Sequence, residues 1–148
     1  MQRKSRDRNV RIFEFMIRNE KKIRAAVEEV RAGKGSHTGG TLPGGTYISD
    51  PTAGEAIRNV EEISFVDIEG GGRVEWPERW LHVIDAVRAW CGQNTVQAEI
   101  LRRRYAGENY LATCNALFIS ARRYHDILFQ LRSYALQCAA QLQIIRVF

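Results

Sequence analysis

Long apolar runs are missing from this chain of 148 residues. No stretch approaches the roughly 20 apolar residues that cross a bilayer, and the N-terminus is basic and polar with no apolar core behind its charges. A soluble, intracellular, cytoplasmic protein with no membrane partner is therefore expected. Cysteine is scarce too. Cys91, Cys114 and Cys138 are odd in number, widely spaced, and each falls on the expected buried side of a helix, so they are read as core thiols of a reducing compartment. His37, His82 and His125 are scattered, and no close Cys or His pair offers a zinc site; neither a metal nor a cofactor is expected. No serine or cysteine lies in a recognisable nucleophile motif, and no Gly-Lys-Ser/Thr ending follows the glycines, which leaves a phosphate cradle without support.

Charge is present in quantity and unevenly placed. The net charge is +5, distributed as +6 over residues 1–34, −5 over 35–92 and +4 over 93–148. Basic ends around an acidic middle suit a polyanion gripped at two places, a head-to-tail contact between subunits, or simply solvated basic faces. The carboxylates Glu61, Glu62, Asp67, Glu69, Glu75, Glu78 and Asp85 raise acid–base or metal chemistry as a possibility. They fall at expected helix ends and hairpin edges, where solvation explains them, and no enzyme is expected.

Periodicity gives the organisation. Ile12, Phe13, Met16, Ile17, Ile23, Val27 and Val30 recur at spacings of three and four, predicting one basic N-terminal helix over 1–33 with Gly33 at its end. This stripe has few obvious partners in so small a protein, so a homodimer is expected. Residues 34–49, rich in glycine, read as a flexible linker. Over 50–76 come a short helix to about Glu62, opened by Ser49, Asp50 and Pro51, and a small hairpin of Ser64–Ile68 and Arg73–Trp76 around Gly70, Gly71 and Gly72. Residues 77–148 read as a helical domain. Its first helix carries Trp80, Leu81, Ile84, Val87 and Cys91 on one face and closes at Gly92, with Trp80 and Trp90 as core anchors. Helices of about Thr95–Tyr105, Tyr110–Leu117 and Ser120–Leu142 follow. The fold class is mainly all-α: a helical N-terminal segment, a small β-hairpin and a C-terminal bundle.

Within that bundle, residues 110–132 have the register of a helix-turn-helix. Cys114 is the small residue where two helices cross, Leu117 and Ile119 bracket the turn, Tyr124 and Ile127 face the hinge core, and Ser120 is a good N-cap. Phe118 stands at the turn position where glycine is usual, leaving the form of the turn open. A second helix docked by its N-terminal end in a major groove presents Ser120, Ala121, Arg122, Arg123, His125 and Asp126 to DNA. Arginine there pairs with guanine O6 and N7, Ala121 meets a thymine methyl, and Ser120 and the helix start meet a phosphate. Arg102, Arg103 and Arg104 are placed for the sugar-phosphate backbone, and Tyr110, opening the first helix, is a further contact candidate. The competing reading is an ordinary helical hairpin whose arginines only solvate it.

The stretch LRRRYAGENYLATCNALFISARRYHDILFQL resembles the region-four module of sigma factors, through Leu101, Arg104, Tyr105, Leu117, Ile119 and Ser120. The wider arrangement, with Ser49-Asp50-Pro51-Thr52 before one helix and Pro77-Glu78-Arg79-Trp80-Leu81 opening the next, resembles the RinA/ArpU-type phage transcriptional regulators. Thr113 and Phe118 depart from the usual pattern. The resemblance implies a phage or prophage protein in a bacterial cytoplasm that binds double-stranded promoter DNA and activates late or packaging genes, with RNA polymerase as a further partner. A small terminase-like DNA-packaging subunit, also carrying a helix-turn-helix, is the alternative.

Overall fold

The computed structural model describes residues 2–33 and 61–146, in which six helices and one two-stranded sheet form two compact units, Asn19–Glu78 and the remainder. The mainly α-helical class with one small hairpin is what the patterning predicts. The linker and most of the short helix expected after it fall on residues 34–60, outside the described residues; Glu61 and Glu62 are not helical.

The single N-terminal helix expected over 1–33 is two: α1 (Gln2–Arg18) and α2 (Glu20–Arg31), interrupted at Asn19. The apolar stripe is shared accordingly. Phe13, Met16 and Ile17 belong to the unit containing the C-terminal helices, Ile23 to the unit containing the hairpin, and all four are buried.

In the smaller unit, β1 (Phe65–Ile68) pairs antiparallel with β2 (Gly72–Glu75), Phe65 opposite Glu75 and Ile68 opposite Gly72. Alternation puts Val66, Ile68 and Val74 on the covered face, where α2 packs and buries Ile23 with them. Strand β2 stops one residue short of expectation. Trp76 takes a left-handed φ of 51°, and the following Pro77 disfavours right-handed helical geometry at that residue. Arg31 forks onto the Glu78 carboxylate at 2.6 and 2.7 Å and donates to the Glu61 carbonyl at 2.8 Å, tying the end of α2 to the chain after the sheet.

The larger unit holds α1, the part of α3 (Pro77–Cys91) from Arg79 on, α4 (Val96–Tyr105), α5 (Tyr110–Leu117) and α6 (Ala121–Gln141). Its core is Phe13, Trp80, Val83, Ile84, Val87, Ile100, Tyr124, Ile127, Leu128 and Leu131. Chain chemistry sets the boundaries. Gly92 ends α3 at φ 74°, and the Thr95, Asn109 and Ser120 side chains accept from the free N–H groups of Ala98, Leu111 and Arg123. Two expectations about packing need correction. Trp90 lies at the margin of the α3 stripe, 43% exposed and stacked on Tyr134 at 5.1 Å, and so is no core anchor. Cys138 is half-buried, unlike Cys91 and Cys114. Burial pushes the Cys91 thiol up, which keeps it protonated and unreactive.

Candidate nucleic-acid interface

Leu117 ends α5 and Ala121 begins α6, so three residues turn the chain. Phe118 settles the form of that turn by adopting the left-handed conformation, φ 53° and ψ 43°. Its N–H donates to the Asn115 carbonyl at 3.5 Å and the Ile119 N–H to the Cys114 carbonyl at 3.1 Å, the paired bonds of a Schellman helix end. Glycine usually takes this position because a side chain there crowds its own carbonyl, at about 1–2 kcal/mol. The Phe118 ring points into solvent, 96% exposed. Below the turn, Thr113, Cys114, Tyr124 and Ile127 are buried and Leu117 and Ile119 half-buried, so the expected hinge positions do face the core.

Ser120 caps α6 through a 3.1 Å bond from the Arg123 N–H, leaving the first turn of the helix open to solvent. Ser120, Ala121, Arg122, Arg123, His125 and Asp126 are all exposed. Among the described residues, neither Arg122 nor Arg123 has an ion-pair partner. Tyr110 is partly exposed at the start of α5, its ring 6.0 Å from that of Tyr124 and 5.5 Å from that of His125, so it braces the first helix of the pair against the second.

The three arginines of α4 part company, as their adjacency around a helix requires. The Arg102 side chain is 64% exposed and, among the described residues, pairs only with Glu99, at 2.8 Å. Arg103 is bound by both Glu99 and Glu108, at 3.2 and 3.0 Å. Arg104 turns inward, donating to Glu14 at 3.2 Å and to the Tyr124 hydroxyl at 3.5 Å. Of the trio proposed for phosphate contact, Arg104 is thus unavailable and Arg103 is largely occupied; Arg102 alone keeps an open cationic face.

Sequence reasoning missed what Glu14 does. This α1 carboxylate, 14% exposed, accepts from Arg104 of α4 and from Arg132 of α6, with Arg18 at 4.0 Å. Burial alone would raise the Glu14 pKa, but the bonds and charges of Arg132 and Arg104 outweigh it and hold the carboxyl below its ordinary value. Burial, with the Glu14 charge adding to it, pushes the Tyr105 phenol up to about 12. No local pattern signals such a hub, because its partners lie some 90 and 118 residues away.

Also unforeseen is where the basic N-terminal helix lies. Arg6 donates to Ser133 Oγ at 2.9 Å and its guanidinium sits 4.3 Å from the centroid of the exposed Phe129 ring. Phe129 follows His125 by one helical turn, so α1 brings positive charge alongside the exposed strip of α6. Among the described residues, Lys4, Arg8 and Arg11 are exposed and without acidic partners.

The carboxylates weighed for catalysis are dispersed. Glu78 is held by Arg31, Asp67 faces Arg73 and Asp85 faces Arg88, and no group of three or more His, Cys, Asp or Glu side chains among the described residues is placed to hold a metal ion. No described helix is long and apolar enough to cross a membrane. No family model, curated protein or solved structure matches the chain.

Proposed function

We propose that this protein is a sequence-specific double-stranded DNA-binding regulator that reads the major groove with the N-terminal end of α6. One observation carries the reading: Arg122 and Arg123 stand exposed and, among the described residues, without acidic partners at the start of a capped helix, joined to the preceding helix by a three-residue turn. Arginines left unpaired in this way keep their forked donors for guanine edges, and the open N–H groups of the first turn suit a phosphate. Arg102 and Tyr110 are the supporting backbone contacts, and Arg6, beside Phe129, extends the positive surface along the same helix.

The regulatory setting, a phage-type activator of late or packaging genes in a bacterial cytoplasm that also engages RNA polymerase, is proposed on the resemblance of the wider arrangement to the RinA/ArpU-type regulators, beside that of the 101–131 stretch to sigma region four. A second copy of the chain as partner belongs to the same proposal. The stripe that motivated it supplies no argument now, because Phe13, Met16 and Ile17 are already buried in the protein and α1 packs on α6 and α4. Sedimentation at micromolar concentration decides between monomer and dimer.

The deciding experiment titrates the purified protein against the DNA upstream of its own gene and against random duplex, at two salt concentrations. A complex that prefers one sequence and survives the higher salt is expected. Equal, weak binding to both duplexes that disappears with salt would reduce the site to electrostatics and overturn the reading.

A further inference from the structure

Phe118 is held against two costs. The residue is 96% exposed, which leaves an apolar side chain in water, and its backbone occupies a conformation, φ 53°, that glycine or asparagine adopts more cheaply. Within the described residues the ring stacks on nothing. The side chain therefore does nothing for the fold that glycine would not do better. It projects from the turn two residues ahead of Ser120, the cap of the helix that presents Arg122 and Arg123. The outward side of this motif is moreover not purely polar: Tyr110, Leu111, Phe118 and Phe129 are four of the six exposed large hydrophobic residues among those described.

We propose that Phe118 is a DNA-contact residue of the helix-turn-helix, packing its ring on a thymine methyl group at the edge of the major groove beside the bases met by α6; this rests on the DNA-binding reading above. The methyl is the one apolar group that a base pair offers in that groove, and an aromatic ring is among the side chains that recognise it. Such a contact adds affinity by removing apolar surface from water and releases no counterion. Its loss therefore weakens binding equally at every salt concentration, unlike the loss of an arginine.

The test uses the full chain, a duplex selected by the wild type from a random pool, and the same duplex with thymines replaced one at a time by deoxyuridine. Phe118→Gly is expected to melt at the same temperature as wild type or higher, and to bind the selected duplex about tenfold more weakly, the scale of a partly buried phenyl ring. Its salt dependence should run parallel to that of wild type. One deoxyuridine should cost wild type about fourfold, the worth of one buried methyl, and cost the variant nothing. Phe118→Asn should behave as the glycine variant, and Phe118→Leu should recover most of the affinity. Wild-type affinity in Phe118→Gly would overturn the proposal while leaving the DNA reading standing, and would point to a protein partner for the ring. Weakened binding without any deoxyuridine effect in wild type would overturn the thymine contact. If wild type selects no duplex at all, the DNA reading and this proposal fall together.

Discussion

Two groups of arginines in the larger unit were indistinguishable by composition, and the structure treats them in opposite ways. Arg103, Arg104 and Arg132 are surrounded by acids: Glu99, Glu108 and Glu14. Arg122 and Arg123 lie on the outer side of the same motif, exposed and without such partners among the described residues. The first group organises helices; the second is left with its charge and its donors unspent. What separates them is whether a carboxylate lies within reach: Glu14 of α1 reaches Arg104 and Arg132 through tertiary packing, while Glu99 of α4 and Glu108 just beyond it reach Arg103 locally. A run of arginines on a helix thus signals a polyanion partner only after the internal acids have been assigned.

The most forceful way to break this contrast is to remove the acid. Glu14→Ala leaves Arg104 and Arg132, both largely covered, without their shared acceptor, and should cost about 2–3 kcal/mol of folding stability, as loss of one partner of a partly buried ion cluster does. Urea denaturation measures it; a loss below about 0.5 kcal/mol would place the cluster with ordinary surface pairs. The pH dependence has a definite sign. Because the folded protein holds the Glu14 carboxyl below its ordinary value of 4.5, its contribution is fully present above that pH and is lost as the pH falls through the lower, folded-state pKa. Wild type should lose stability on acidification over that range more steeply than Glu14→Gln. Matching acid profiles would remove Glu14 from the account.

Substitution within each arginine group sharpens the contrast next. Arg122→Ala should cost about 1–3 kcal/mol in discrimination between selected and random duplex with little change in melting temperature. Arg104→Ala should do the reverse, lowering stability while leaving sequence preference intact. Arg102→Ala, on the open side of α4, should weaken binding to all duplexes alike and reduce the salt slope by about 1. Arg103→Ala should show less of that effect, since Glu99 and Glu108 already hold the guanidinium. An identical outcome for Arg104→Ala and Arg122→Ala would dissolve the distinction between the groups.

Most of the fold was legible because it rests on local signals. The spacing of Trp80, Leu81, Ile84, Val87 and Cys91, the cap Ser120 and the stop at Gly92 each act within one or two turns of helix, and each is realised. The outward row from Ser120 to Asp126 was legible for the same reason, since an apolar register on one face dictates the other. The failures share a cause. The break at Asn19, the inward turn of Arg104 and the placement of Arg6 beside Phe129 all depend on which distant element packs where, and α1 meets α6 across more than a hundred residues of chain. Phe118 lies between these cases: its special turn position could be read from the register, but that a phenylalanine would accept a left-handed backbone and face water could not.

Among the described residues, three inward polar atoms spoil an otherwise tidy division, the Arg104 Nε, the Tyr105 hydroxyl and the Thr113 hydroxyl, and the last provides the smallest test. Thr113 is fully buried beneath the turn, at a position whose hydroxyl interrupts the usual apolar pattern, and among the described residues that oxygen has no hydrogen-bond partner. If inward polar groups within the helix-turn-helix are retained because they are paired, Thr113 is its exception and carries a desolvation penalty with no return. Thr113→Val exchanges the hydroxyl for a methyl of similar size and should stabilise the protein by about 1 kcal/mol, with duplex preference unchanged. Thermal melting reads the first effect and the duplex titration the second. A destabilised variant would mean that the hydroxyl does have a partner, and the inward side of the motif would then be paired without exception.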